Sequence, residues 1–307
     1  MYSDDYFCLL DSVLRRGHRG TNARTGAGVS TLRGTQTICY VPTDGARPRI
    51  PVPGNRVVRP HIAAAEAAWF LRGEDSVAWL SGHTTIWDAF ASEEGLVGAA
   101  YGRRLRRHFL GVDGSGADTR VDQVAMAVEA LRADPSDRQC VLTLWDPVED
   151  GLGRRAPWNV PCPTQVAVNV VDGRTQLSVL MRSSDLFVGL PYDVMTFTVL
   201  GWLVGRAVGA PLGEVHMTLA NAHLYDVHQT PARASVNDYP ECCVADDASI
   251  QLRDEMLWLA SDTTLHELDA DDAADDFVSA VKLAVASAGG YEAVSGTAFD
   301  PKPRAVR

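Results

Sequence analysis

Residues 60–73, PHIAAAEAAWFLRG, open on proline, carry alanines and larger apolar residues at helical spacing and stop at Gly73. This pattern predicts a helix with Glu66 inside it. Residues 139–146 and 165–171 are rich in Val, Leu and aromatic residues, and VDGR at 171–174 is a turn that leads into QLSVLM. The middle of the chain therefore reads as strands, with a hairpin about that turn. Residues 191–210, PYDVMTFTVLGWLVGRAVGA, are apolar on nearly every side, as expected of a helix sandwiched in a core. Gly and Pro crowd residues 26–60 and predict loops there. The acidic run ELDADDAADD at 267–276 reads as a solvated loop and a helix N-terminus, where carboxylates suit the dipole. It lacks the spacing of a calcium loop, so it is not read as a metal site. Helices covering a sheet make an α+β (mixed α/β) fold, and with no repeat or low-complexity linker residues 1–307 are expected to form one domain.

Composition narrows the partners. Of 307 residues, 46% are hydrophobic and 22% charged, which is ordinary for a globular chain and excludes disorder throughout. The formal charge is −11, and Lys282 and Lys302 are the only lysines, so almost all positive charge is arginine. An acidic surface argues against nonspecific nucleic-acid binding, yet a few buried arginines suffice to clamp one small phosphate. The six cysteines, Cys8, Cys39, Cys140, Cys162, Cys242 and Cys243, form no CxxC and no metal-ligand spacing, so a reduced, cytoplasmic chain with no metal is expected. The first residues carry acids where an export signal needs bases. The longest apolar run, 194–210, is interrupted by Thr196, Thr198 and Arg206, short of the about 18 apolar residues of a membrane span.

One cysteine stands in an unusual setting. Cys162 lies between Pro161 and Pro163, which fix the backbone and remove a neighbouring N–H, so its thiol is held rigidly. Alone it reads equally as a small buried hydrophobe. Twenty residues on, Arg182-Ser183-Ser184-Asp185 ends the next expected strand. An arginine near a thiol favours the thiolate and can also hold a phosphate, although the same four residues would serve as a turn or helix cap.

With these residues in view, the chain resembles the folate-dependent thymidylate synthase superfamily. Arg24-Thr25-Gly26-Ala27-Gly28 is similar to the family's phosphate loop, and Glu66 to Gly73 to its helix with the catalytic glutamate. Ile86-Trp87-Asp88 and Ala100-Tyr101-Gly102 resemble the next two motifs, which line the folate and pyrimidine pockets. Asp134 to Gln139 resembles the segment that carries Arg138 across a homodimer to the neighbouring phosphate site. Pro161-Cys162 resembles the nucleophile motif, Arg182 to Asp185 the phosphate and base contacts, Gly189-Leu190-Pro191-Tyr192-Asp193 the pyrimidine reader, and His223-Leu224-Tyr225 the pair on the sugar 3′-hydroxyl. The resemblance implies a large mixed sheet packed with helices, one sheet face forming the dimer interface. It also implies methylenetetrahydrofolate as co-substrate, without a metal.

The departures bear on the substrate. The synthases carry asparagine where this chain has Asp193. A protonated acid, or a carboxylate facing a protonated N3, pairs with both N3 and the N4 amino group of cytosine, whereas an ionised carboxylate facing O4 of uracil opposes two acceptors. A buried unpaired polar contact costs about 1–3 kcal/mol. The same substitution marks the relatives that hydroxymethylate cytidylates, and the chain is most similar to that branch. Pro163 follows the nucleophile where the synthases have histidine, Gln139 replaces an arginine, Phe90 a tryptophan, and Arg307 follows the terminal valine, Val306.

The resemblance thus implies catalytic Cys162, Glu66, Tyr101 and Asp193. Arg24, Arg138, Arg182, Ser183, Asp185, His223 and Tyr225 would bind the nucleotide, and Trp87, Asp185, Gly189 and Val306 the folate. The implied activity is 5-hydroxymethylation of CMP or dCMP. A synthase methylating dUMP and a non-catalytic nucleotide-binding protein on the same fold are the alternatives.

Overall fold

The computed structural model describes residues 2–23, 25–40, 43–44, 47–51, 56, 58–151, 160–239, 249–251 and 271–287. Arg24, Cys242, Cys243 and the tail with Val306 lie outside the described residues.

The chain begins with α1 (Tyr2–Arg16), β1 (His18–Thr21), β2 (Gly28–Thr31), β3 (Gln36–Tyr40), β4 (Thr43–Asp44), β5 (Arg47–Pro51) and α2 (Pro60–Leu71). It continues through α3 (Tyr101–Arg106), β6 (Leu110–Val112), β7 (Asp118–Arg120), α4 (Gln123–Ala133), β8 (Val141–Thr143), β9 (Pro163–Val171) and β10 (Arg174–Met181). The last elements are β11 (Ser184–Asp185), α5 (Gly189–Val208), β12 (Leu212–Leu219), β13 (Ala222–Tyr225), α6 (Gln229–Asn237), β14 (Ser249–Gln251) and α7 (Asp271–Ser287).

The architecture is α+β, with mixed sheets packed by helices. A five-stranded sheet runs β3-β12-β10-β9-β8, in which β10 and β12 are parallel and the other pairs antiparallel. A four-stranded sheet runs β1-β2-β13-β11. In β10, Leu177, Val179 and Met181 are buried, and in β12 Leu212, Val215, Met217 and Leu219. This two-residue alternation turns one face of the larger sheet toward α5. The β9–β10 hairpin closes through Asp172 and Gly173, both at positive φ (50° and 72°), the turn that suits the right-handed twist of the strands.

Helix α2 has no polar face. Five alanines, Trp69 and Leu71 within it are fully buried, because α5 packs on one side and α7 on another. Helix α3 comes against α2 at Gly102, where a Cβ would lie 2.7–2.8 Å from the backbone of Trp69 and Phe70. Only glycine permits that approach, and it places the Tyr101 ring 4.8 Å from that of Phe70.

The structure corrects three expectations. Residues 26–60 contain β2, β3, β4 and β5 rather than loops alone, because β2 pairs with β13 and β3 with β12, partners far along the chain. The strand expected over 139–146 is only β8, since the Leu144 and Trp145 amides both turn to the Thr164 carbonyl. The helix expected over 191–210 spans 189–208, and it follows a turn in which Asp185 Oδ1 accepts from the Phe187 amide at 2.9 Å. Among the described residues no helix is long and apolar enough to cross a membrane.

Candidate active site

Glu66 sits in the buried middle of α2. Its Oε1 accepts a 2.6 Å hydrogen bond from Trp87 Nε1, and its Oε2 one of 3.2 Å from Thr196 Oγ1 on α5. No cation pairs with it among these contacts. Burial raises its pKa to about 7, a rise that the two hydrogen bonds only partly offset. A carboxyl poised near neutrality can give and take protons, which an ordinary surface glutamate at pH 7 cannot. The Trp87 ring is fixed by Trp69 at 5.4 Å, Tyr101 at 5.5 Å and Phe90 at 5.8 Å.

Cys162 precedes β9 and is half-buried. Its amide donates to Tyr101 Oη at 3.4 Å, and its carbonyl accepts from the Arg182 amide at 2.9 Å. Burial, with Cys162, Asp193 and Glu66 close by, holds the Tyr101 phenol well above its usual pKa, so the phenol keeps its proton. The Arg182 guanidinium donates to the carbonyls of Pro161 (2.8 Å) and Val160 (3.2 Å) and lies 5.4 Å from the Trp145 ring. The arginine expected to grip a phosphate is thus first a brace for the segment that carries the thiol.

Asp193 lies in the first turns of α5, three residues from Thr196 and so on the same side of the helix. Desolvation, with Glu66 and Asp185 as like-charged neighbours, holds its pKa well above the ordinary range and favours the protonated acid. Asp185 Oδ1 accepts from the Phe187 and Val188 amides, fixing the turn just before α5. Gly189 separates the two acids: a Cβ there would lie 3.6 Å from Asp193 Oδ2 and 3.7 Å from Asp185 Cβ.

His223 and Tyr225 stand on β13, their rings edge to face at 5.2 Å. His223 Nδ1 faces the Asn221 carbonyl at 3.4 Å, which sets the proton on Nδ1 and leaves Nε2 as an acceptor. Burial lowers the His223 pKa against the opposing charge of Asp185, so the ring is neutral at pH 7. Tyr225 Oη accepts from Asn22 Nδ2 at 3.0 Å. Ser183 is half-buried next to Arg182, while Ser184 Oγ is buried with no hydrogen-bond partner among the described residues.

The chain therefore gathers Cys162, Tyr101, Glu66 and Asp193, with Trp87, Asp185 and Gly189 in contact with members of that group and Arg182 and His223 beside it. Arg138 is not brought there. It is exposed on the turn before β8, and among the described residues no hydrogen bond or ion pair joins it to Arg182, Ser183 or His223. Sequence reasoning missed Thr196 and Asn22. Thr196 left a signal, a hydroxyl interrupting an apolar helix at i+3 from Asp193; Asn22 left none.

Among the described residues, His108, Asp146 and Glu149 form the group that brings three metal-capable side chains together, with donor atoms within 4.8 Å. Arg104 occupies its centre: its guanidinium nitrogens lie 2.6 Å from His108 Nε2, 3.1 Å from Glu149 and 3.5 Å from Asp146. A fixed positive charge there opposes a metal ion. The acidic residues Asp271 and Asp272 fall in the first turn of α7, as the helix-dipole reading expected.

Cys162, braced by Arg182, and Glu66, a buried carboxyl poised near neutrality, both adjoin Tyr101 on a mixed α+β scaffold. Residues 4–272 match the thymidylate synthase family, and the chain belongs to it. Its chemistry is accordingly folate-dependent one-carbon transfer to a pyrimidine nucleotide.

Proposed function

We propose that the protein is a 5-hydroxymethyltransferase acting on CMP or dCMP, and that Asp193 selects the base. The reading is supported by the place of Asp193 in the first turns of α5, where burial and its acidic neighbours hold the carboxyl well above its ordinary pKa and so favour the acid form. Its O–H donates to cytosine N3 and its carbonyl accepts from the N4 amino group. With cytosine the shared proton sits equally well on the acid or on N3, so the pair stays complementary through ionisation. With uracil only the acid form is complementary, and ionisation sets a carboxylate against O4.

The remaining roles follow from position. Arg182, Ser183 and Arg24 hold the phosphate, joined by Arg138 of the partner subunit in a homodimer that meets through the outer face of the five-stranded sheet. A sugar hydroxyl, which both donates and accepts, suits the His223–Tyr225 pair: its proton goes to His223 Nε2 and its oxygen faces the Tyr225 phenol. Residues 1–307 act as one domain, in the cytoplasm.

The residues present fit a folate. Trp87 offers a broad ring beside Glu66, and Gly189 leaves a space between Asp185 and Asp193 that any Cβ would fill. Trp87, Asp185 and Gly189, with Val306 of the tail, would hold methylenetetrahydrofolate. When bound, it supplies the one-carbon unit at the oxidation level of formaldehyde.

Cys162 Sγ adds to C6 of the ring, which makes C5 nucleophilic. Tyr101 keeps the Cys162 amide and thiol in register with the ring. Glu66 takes the C5 proton and then orients the water whose oxygen becomes the new hydroxyl. Expulsion of Cys162 restores the ring. Atoms balance as nucleotide, methylenetetrahydrofolate and water giving the 5-hydroxymethyl nucleotide and tetrahydrofolate. No electron is taken from the folate.

Tritium release from C5-labelled CMP, dCMP and dUMP, with mass analysis of the nucleotide and of the folate, tests the reading. Folate-dependent release from a cytidylate, with a hydroxymethyl product and tetrahydrofolate, is expected. Release from dUMP alone with dihydrofolate would make the protein a synthase, and no release from any nucleotide would leave a binding protein.

A further inference from the structure

Helix α7 lies almost wholly beyond the residues that match the family, which end at 272. It is seated firmly nonetheless. Ala274, Phe277, Val278, Ala280 and Val281 are buried, α7 packs along α2, and Phe277 stacks on Trp202 of α5 with centroids 6.4 Å apart. Its polar side is as specific: Asp271 pairs with Arg72 at the end of α2, and Asp275 Oδ1 accepts from Trp79 Nε1 at 3.0 Å and meets His83 Nε2 at 2.9 Å.

Trp79 and His83 bracket the short 3-10 turn Leu80–Gly82. From that turn Ser81 Oγ donates to Asp88 Oδ1 at 2.8 Å. Asp88 follows Trp87 and opens the next 3-10 turn, Asp88–Phe90, so fixing Asp88 fixes the backbone from which the Trp87 ring projects. Trp87 in turn makes the 2.6 Å hydrogen bond to Glu66. Polar contacts joined by two short stretches of backbone, Trp79–His83 and Trp87–Asp88, thus run from the surface of α7 to the buried carboxyl.

We propose that Asp275 is a positioning residue for Glu66, acting through Trp79 and His83, Ser81, Asp88 and Trp87, so that α7 holds the catalytic carboxyl in place. The inference rests on the reading of Glu66 as the proton-handling group, and not on which nucleotide is turned over. It accounts for an acidic helix start whose carboxylates otherwise merely suit the dipole.

The test has a readout that needs no substrate. In the full chain the Trp87 indole N–H resonance, assigned through Trp87→Phe, is followed against pH in wild type, Asp275→Ala, Asp275→Asn, Ser81→Ala and the control Asp276→Ala, which removes the same charge from the next residue. Asp275→Ala and Ser81→Ala are expected to move the resonance toward that of a weaker hydrogen bond and to raise its titration midpoint above the wild-type value, since a hydrogen bond that favours the charged carboxylate is lost. Asp275→Asn, which keeps an acceptor oxygen, and Asp276→Ala are expected to titrate as wild type. With whichever nucleotide releases tritium, Asp275→Ala should lower kcat about tenfold at nearly unchanged KM, the mark of a misplaced group rather than a lost binding contact. An unchanged or lowered midpoint in Asp275→Ala or Ser81→Ala, even with a fall in melting temperature, overturns the proposal. Absence of tritium release from every nucleotide would instead count against the enzyme reading and leave the resonance test standing.

Discussion

Two clusters of acids, drawn from distant parts of the chain, meet burial with different neighbours. Around Arg104, itself almost without solvent exposure, Asp146, Glu149, Asp150 and His108 are tied to one guanidinium. Burial pushes Asp146 up, but the hydrogen bond from His108 and the amides of Val148 and Glu149 outweigh it and hold the carboxyl below its usual pKa. Around Glu66 and Asp193 no arginine bears on either carboxyl among the described residues. Burial there meets only neutral donors or further acids, and both carboxyls are pushed up. Asp150, the most buried acid beside Arg104, is also pushed up by desolvation, although the guanidinium opposes that rise, so what sets the Glu66 cluster apart is that burial acts there with no cation among the described contacts to oppose it.

The comparison breaks most severely if Arg104 is removed. Arg104→Ala leaves three acids without their counter-charge, and a loss of about 3–5 kcal/mol in unfolding free energy is expected by urea denaturation. It should shorten the life of the fold without altering which nucleotide the protein accepts.

Removing the charge from the other cluster has the opposite sign. The Glu66 pKa rises from 4.5 unfolded to about 7 folded, so the folded state holds a proton that the unfolded chain has lost, and stability falls as pH climbs through that window. Glu66→Gln should escape this loss and exceed wild type by about 3 kcal/mol at pH 8, with the gap vanishing near pH 4. Its turnover should drop at least about 10²-fold. Equal stability of the two proteins across pH 4–8 would show that Glu66 titrates normally.

The smallest effect is the most selective. Asp193→Asn should shift the preference between cytidylate and uridylate by about 1–3 kcal/mol toward uridylate, read as the ratio of kcat/KM values. In wild type, cytidylate turnover should persist as Asp193 ionises, while any uridylate turnover falls.

Much of the site could be read from the chain because its parts are local. The helix around Glu66, the hairpin closed by Asp172 and Gly173, and the apolar helix starting near Gly189 each announce themselves by period and turn chemistry. The proline-bracketed cysteine and the arginine after the next strand did the same. The Arg104 cluster did not: residues 104, 108, 146, 149 and 150 look in sequence like charged surface, and only tertiary folding gathers them about one buried guanidinium. The strands within 26–60 were hidden for a related reason, since what makes β2 and β3 strands is their pairing with β13 and β12. The part of Asp275 was equally invisible, because an acid in the first turns of a helix needs no partner to make sense.

Helix α2 has apolar residues all round and is covered by α5 and α7. The helix bearing Glu66 is synthesised before α5 and α7, which cover it. Until they follow, the ribosome-bound chain carries an alanine-rich flank that nothing yet shields, the kind of exposed surface that chaperones recognise. A transcript truncated before codon 271 would therefore yield a sticky polypeptide rather than a merely shortened enzyme, and the cell's quality control would meet it first.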